Sequence, residues 1–234
     1  MNIIQKLQEK TQIERENFLK KAYQLMADGV IIEDPSRLDI RGVLKCGSGV
    51  RIDINVIIEG EVILDDNVFI GANCILKDCS IGNGTQINPF SFIEESVVGK
   101  NSFVGPYGRL RPNTQLGDNV QIGNFVEIKN SKIEADARIN HLAFVGDAEL
   151  AENVTIGAGT IFCNHNGLRI NHIKIDKGAY IGSGCNLVAP LKINANSTIA
   201  SGSTITEDTP KGKLTLARAR QISIENWKRP KSQK

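Results

Sequence analysis

The sequence predicts an all-β solenoid, a triangular parallel coil of three short strands per turn with a helical segment before it and an extension after it. Two observations carry that prediction. From Ile70 onward an aliphatic residue recurs every six positions, with occasional steps of five, through Leu76, Ile81, Ile87, Ile93, Val98, Val104, Leu110, Leu116, Ile122, Ile128, Ile133, Ile139, Val145, Leu150 and Ile156, and again from Ile175 through Ile181, Leu187, Ile193 and Ile199 to Ile205. Hydrophobic residues make up 41% of the 234 residues and aromatics only 5%, so the core must be aliphatic. A period of six fits neither a helix at 3.6 nor a two-sided strand. It fits a coil of about 18 residues per turn, stacked at the strand spacing of ~4.8 Å. The aliphatic residue points inward, and the corner takes Gly, Asn or Asp.

In chain order, residues 1–50 read as a helical segment and connector. Apolar residues at helical spacing among charges run through 3–28, and "EDPSRLDIRG" leads into the coil. Residues 51–206 read as about eight coils. The beat breaks between Ile161 and Lys174, where "FCNHNGLRINHIK" has no inward register, so residues 162–174 are expected to protrude as a loop, a common carrier of function on a rigid scaffold. Residues 207–234 lose the beat and form an extension with a basic, solvated end. The ends of a stacked coil expose backbone that must be covered, and the two terminal segments are expected to do this.

Composition narrows the function. A net charge of +2, spread along the chain, gives no nucleic-acid footprint. No apolar run approaches the ~18 residues of a membrane span, and the first residues lack a signal peptide's apolar stretch. Five cysteines without a CxxC pair point to neither a disulfide framework nor a zinc site, and to reduced thiols in the cytoplasm. One of only three histidines, His141, lies in "INHLAFVGDA", two residues after the inward Ile139. Its ring is expected to face outward near a corner, which suits an ordinary surface histidine as well as a catalytic one.

Several ordered motifs add to this: "RLRP" at 109–112, "IGNFVEIKNSKI", "HLAFVGDAEL", "NVTIGAGTIFCNHNG", "IGSGCNLVAP" and "ENWKRP". From about Gln12 to Pro230 the chain resembles the acetyltransferase domain of the family of bifunctional N-acetylglucosamine-1-phosphate uridyltransferase/glucosamine-1-phosphate acetyltransferases. The resemblance implies a left-handed parallel β-helix that forms a homotrimer. It also implies transfer of acetyl from acetyl-CoA to the amine of an amino sugar, in UDP-N-acetylglucosamine biosynthesis for the cell envelope. Glucosamine 1-phosphate is the default acceptor. The uridyltransferase half and its Gly-rich nucleotide motif are absent, so nucleotidyl transfer is not expected.

The same resemblance assigns roles. His141 falls on the catalytic base, a task that suits a side chain whose unperturbed pKa is ~6.5, and Glu127 on a carboxylate that supports it. Arg111 and Lys129 fall on contacts to the sugar phosphate. Ala158, Asn164, Ser183 and Arg218 fall on acetyl-CoA contacts, with His165 where the family commonly has Tyr and Ser201 where it has Ala. Three acceptor positions differ: Phe144 stands for Tyr, Thr155 for Asn and Ile170 for Lys, with Arg169 next door as a substitute cation. These changes admit a different amino sugar as acceptor, or a non-catalytic trimer that binds sugar or CoA. A zinc enzyme using His141, His165 and His172 is a further candidate, but that histidine spacing does not resemble the known zinc coils and no metal is expected.

Overall fold

The computed structural model describes residues 2–229 and is a left-handed parallel β-helix of about ten turns behind one N-terminal helix. The terminal residues 230–234, the end of the basic tail, lie outside the described residues. Short parallel strands form an 11-stranded sheet along one side and a 17-stranded sheet that runs around a corner to cover the other two. Register stacks like on like: Ile122, Ile139, Ile156, Ile181 and Ile199 lie in one column. Every aliphatic residue of the six-residue beat from Ile70 to Ile205 is buried. The core is thus a set of aliphatic ladders, each side chain packed on its equivalent one turn away.

The corners explain the Asn content. Nine coil asparagines from Asn55 to Asn196 adopt positive φ, a conformation that costs most L-residues about 1–2 kcal/mol and that Asn tolerates. One corner departs from this. Phe90, Tyr107, Phe125 and Leu142 also sit at φ of 50–63°. The rings of Phe90 and Tyr107 stack at 4.9 Å, and those of Tyr107 and Phe125 at 5.1 Å. All four side chains are about half exposed, so the strain yields a ladder of apolar surface ending beside His141.

The coil is longer at both ends than residues 51–206. Strands Leu38–Ile40 and Val43–Cys46 pair with Val56–Leu64, and Ile31–Ile32 pairs with Arg51–Ile52. The connector is therefore the first turn of the coil, with Pro35–Arg37 forming a single 3-10 turn within it. At the far end Leu214–Thr215 pairs with Thr198–Ile199. The loop is shorter than expected. Phe162 is among the largest fully buried side chains and Ile173 is fully buried, so the excursion spans only 164–172. Phe162 lies six residues after Ile156 and continues the beat with an aromatic side chain.

The helix Ile3–Ala27 starts with a capping box between Asn2 and Gln5. It docks on the first turn through buried Ala22, an Arg15–Asp39 ion pair, and Lys21 Nζ, which donates to the carbonyls of Ile40 and Gly42 at 3.0 Å each. Those carbonyls lie on the first-turn edge, which would otherwise be open. The other end is covered less. After Ala217, whose carbonyl accepts from Thr204 N–H, the chain is exposed, including Ile222, Ile224 and Trp227.

All five cysteines are free. Burial pushes the Cys46 and Cys79 thiols up to about 12 and Cys74 up to about 11. Burial favours the neutral thiol, so at pH 8 the thiolate fraction at these three is about 10⁻³ or less. Iodoacetamide at pH 8 is expected to leave all three unmodified in the folded protein and to label all five cysteines after unfolding. Rapid labelling of Cys74 or Cys79 in the native state, read by mass spectrometry, would contradict the burial.

Candidate active site

Most of the residues singled out in the sequence gather around one corner of the coil. Arg138–His141 pairs with Gln121–Asn124, and His141 lies at its end, exposed, one residue before the positive-φ corner Leu142. Counting two residues past each inward isoleucine, the same column continues through Ala158, Ser183 and Ser201. Backbone hydrogen bonds join it: Gly159 N–H donates to the His141 carbonyl, Gly184 N–H to Ala158 and Gly202 N–H to Ser183. Arg218 closes the column, its Nη1 donating to the Ser201 carbonyl at 2.8 Å. At ~4.8 Å per turn, His141 to Ser201 spans about 14 Å, a length suited to an extended linear ligand. The small side chains leave that edge open.

Glu127 is not the partner of His141 within this chain. Its Oε1 receives Arg111 Nη1 at 2.7 Å, because it lies beyond the corner on the next strand, Glu127–Lys129. His141 Nδ1 instead meets Asn124 Oδ1 at 2.6 Å. Asn124 is 17 residues earlier and directly adjacent in the column. With Oδ1 as acceptor, Nδ1 carries the proton and Nε2 keeps its lone pair. Asn124 carried no motif signal. Only counting one coil back from His141 finds it.

Arg111 and Lys129 occupy one outward column. Arg111 N–H donates to Ile128 O, and Lys129 faces Gly146 one turn on. The Glu127 ion pair compensates Arg111, whereas Lys129 makes no ion pair among the described residues. Phe144 stands over Glu127. A Cβ built on Gly146 would lie 2.7 Å from the Phe144 ring and 2.7 Å from Asn164 Nδ2, so the bare backbone of Gly146 lets these two groups approach.

Two sets of residues stand apart. Thr155 lies on the side before the corner, next to Arg138 and Tyr180, so Thr155 and Phe144 occupy different faces of one chain. In the loop, His165 bridges to Ile170, its Nδ1 accepts from Gly167 N–H at 3.2 Å, and Ile170 and Arg169 are exposed. His165 and His172 sit in or at the end of this loop, away from the His141 column. Among the described residues no three His, Cys, Asp or Glu side chains gather as a metal site, and no helix is long and apolar enough to cross a membrane.

Chemically, the corner offers an exposed imidazole with one nitrogen tied back, a free cation one strand away, and an open ridge of small residues beside it. Comparison with known proteins adds to this geometry. The family model described as the GMPPB C-terminal domain matches residues 40–113. The bifunctional protein GlmU of Azoarcus sp. is 47% identical over 223 residues, 95% of this chain and 49% of the relative. That of Nitrosospira multiformis is 50% identical over 210 residues, 90% of this chain and 46% of the relative. This chain thus spans about half the length of the curated relatives it matches. Among solved structures, LpxA from Acinetobacter baumannii aligns over 68% of each chain at 19% identity with a TM-score of 0.46.

Proposed function

The chain belongs to the family of the bifunctional protein GlmU, matching its C-terminal half, and from that premise we propose that it is an acyltransferase that moves acetyl from acetyl-CoA to the amine of a sugar. The observation that carries the reading is the single column of His141, Ala158, Ser183 and Ser201, closed by Arg218. The acyl donor lies along this ridge with its thioester at His141. The amino sugar sits beside it, its phosphate on Lys129 and Arg111.

His141 Nε2 takes a proton from the amine as its nitrogen attacks the thioester carbonyl. The C–N bond forms, the C–S bond breaks, and the proton passes on to the leaving thiolate. Asn124 holds the tautomer that leaves Nε2 free. A neutral amide does this without the ion pairing a carboxylate would give the imidazolium. Glucosamine 1-phosphate is the default acceptor, and Phe144, Thr155 and Ile170 favour a second reading in which another amino sugar is preferred. A thiol-release assay with acetyl-CoA and a panel of amino sugars tests both. No release with any of them sinks the reading.

The working form is a homotrimer with its site between copies. An exposed imidazole on a convex corner cannot exclude water alone, and Phe144 and Thr155 diverge onto separate faces, so a second copy is needed to make a cleft. The half-exposed Phe90–Tyr107–Phe125–Leu142 ladder, continuous with His141, is the apolar surface such a copy would cover. Light scattering at micromolar concentration is expected to give about three times the chain mass, and Phe125→Asp is expected to shift it toward monomer with loss of turnover. A wild-type monomer would overturn this.

A further inference from the structure

The structure assigns Asp147 as a positioning residue for the acyl donor: its buried carboxylate fixes which end of the Asn164 amide faces the ligand. This rests on the functional reading above. Asp147 is 5% exposed and is the only buried acidic side chain among the described residues. Its corner backbone, at φ 54°, does not explain it: Asn113 and Asn130 hold the same corner column with neutral side chains, and the acidic Asp78 and Glu95 hold it exposed to solvent. An ionised carboxylate out of water is costly unless hydrogen-bonded. Two amides meet that need, Asn130 Nδ2 at 2.6 Å on one oxygen and Asn164 Nδ2 at 2.5 Å on the other.

A carboxylate accepts only. Asn164 must therefore turn its NH₂ toward Asp147, which leaves Oδ1 as an acceptor on the ligand side. Gly146 admits the amide and the Phe144 ring to the same spot, since a Cβ there would collide with both. Asn164 continues the Asn130–Asp147 corner column, one strand of the coil away from the His141 ridge of its own chain, so its half-buried acceptor serves a donor lying along the ridge of a second copy. It suits a secondary amide N–H, the group that a pantetheine arm carries. With the amide reversed, an NH₂ would face that N–H and repel it.

Asp147→Asn keeps the shape and removes the fixed polarity, because an amide at 147 can present either end. The expected result is a rise of about tenfold in the Kd and KM for acetyl-CoA, the scale of one hydrogen bond, with the KM for the amino sugar little moved. A purely structural role would lower Tm and not single out the donor. Reversing the pair, Asp147→Asn with Asn164→Asp, restores a one-way donor and acceptor and again points an acceptor oxygen outward. It is expected to recover most of the acetyl-CoA affinity in calorimetry, even if the single variant folds poorly. An unchanged Kd in Asp147→Asn overturns the inference. So does a reversed pair that folds without recovering affinity, or failure of both variants to fold. A wild type that binds no acetyl-CoA overturns the functional reading first, and this inference with it.

Discussion

Alanine at His141 is expected to lower kcat by ~10²–10⁴, the usual contribution of a positioned general base, and to leave the dissociation constant for acetyl-CoA nearly unchanged. The side chain is exposed at a corner and fills no core volume, so its removal opens no cavity and Tm should hold. The rest of the donor ridge, Ala158, Ser183, Ser201 and Arg218, is untouched, so its affinity should largely hold too. Asn124→Ala extends the test. It leaves the imidazole in place and removes the 2.6 Å contact that selects its tautomer, so a smaller loss, about tenfold, is expected from the population of the wrong tautomer and from ring rotation. Steady-state kinetics with isothermal titration of acetyl-CoA separates the two effects. Retention of more than a tenth of wild-type kcat in His141→Ala would rule out the imidazole as the base.

How legible this corner was depended on which residues carried the signal. The aliphatic beat was legible because a fully buried ladder is filled almost throughout by branched aliphatic side chains at its inward points, and all of the residues of the beat are buried. Phe162 was missed because an aromatic residue filled an aliphatic slot, which made the loop look longer. The first turn was missed because Pro35 and Ser36 read as a connector, although Ile32 and Leu38 lie six apart and are both buried. Asn124 and Asp147 have no local signature at all. Each acts on a residue 17 positions away, and that distance becomes a contact only once the turn length is known. The aromatic corner ran against the Asn and Gly rule, which local propensity cannot foresee, since the compensation is stacking between turns.

Restoring the three polar family residues, Phe144→Tyr, Thr155→Asn and Ile170→Lys together, is expected to lower the KM for glucosamine 1-phosphate by about two orders of magnitude. Each neutral hydrogen bond contributes ~0.5–1.5 kcal/mol and a charged one about 1.5–3, and a few kcal/mol corresponds to roughly that factor. Neighbouring contacts are not additive, so the sum is an upper figure. The three positions differ in what a repair must do. At Phe144 the ring already packs over Gly146 beside Asn164, so a phenol hydroxyl extends an existing ring. Thr155 lies on the other face, next to Tyr180, and its repair matters only if a second copy brings that face to the site. Ile170 is exposed on the loop, paired across it with His165, where a lysine is free to swing and where Arg169 already offers a cation. The gain should therefore be largest for Phe144→Tyr alone, smaller for Thr155→Asn, and smallest for Ile170→Lys. With Lys129 and Arg111 proposed to hold the phosphate in the wild type, glucosamine 1-phosphate is expected to bind weakly rather than not at all. Specificity constants for glucosamine 1-phosphate and other amino sugars, in wild type and in the triple variant, decide the matter. A wild type already efficient on glucosamine 1-phosphate, with no gain from the triple change, would mean that the three departures are neutral repacking and that the default acceptor is the true one.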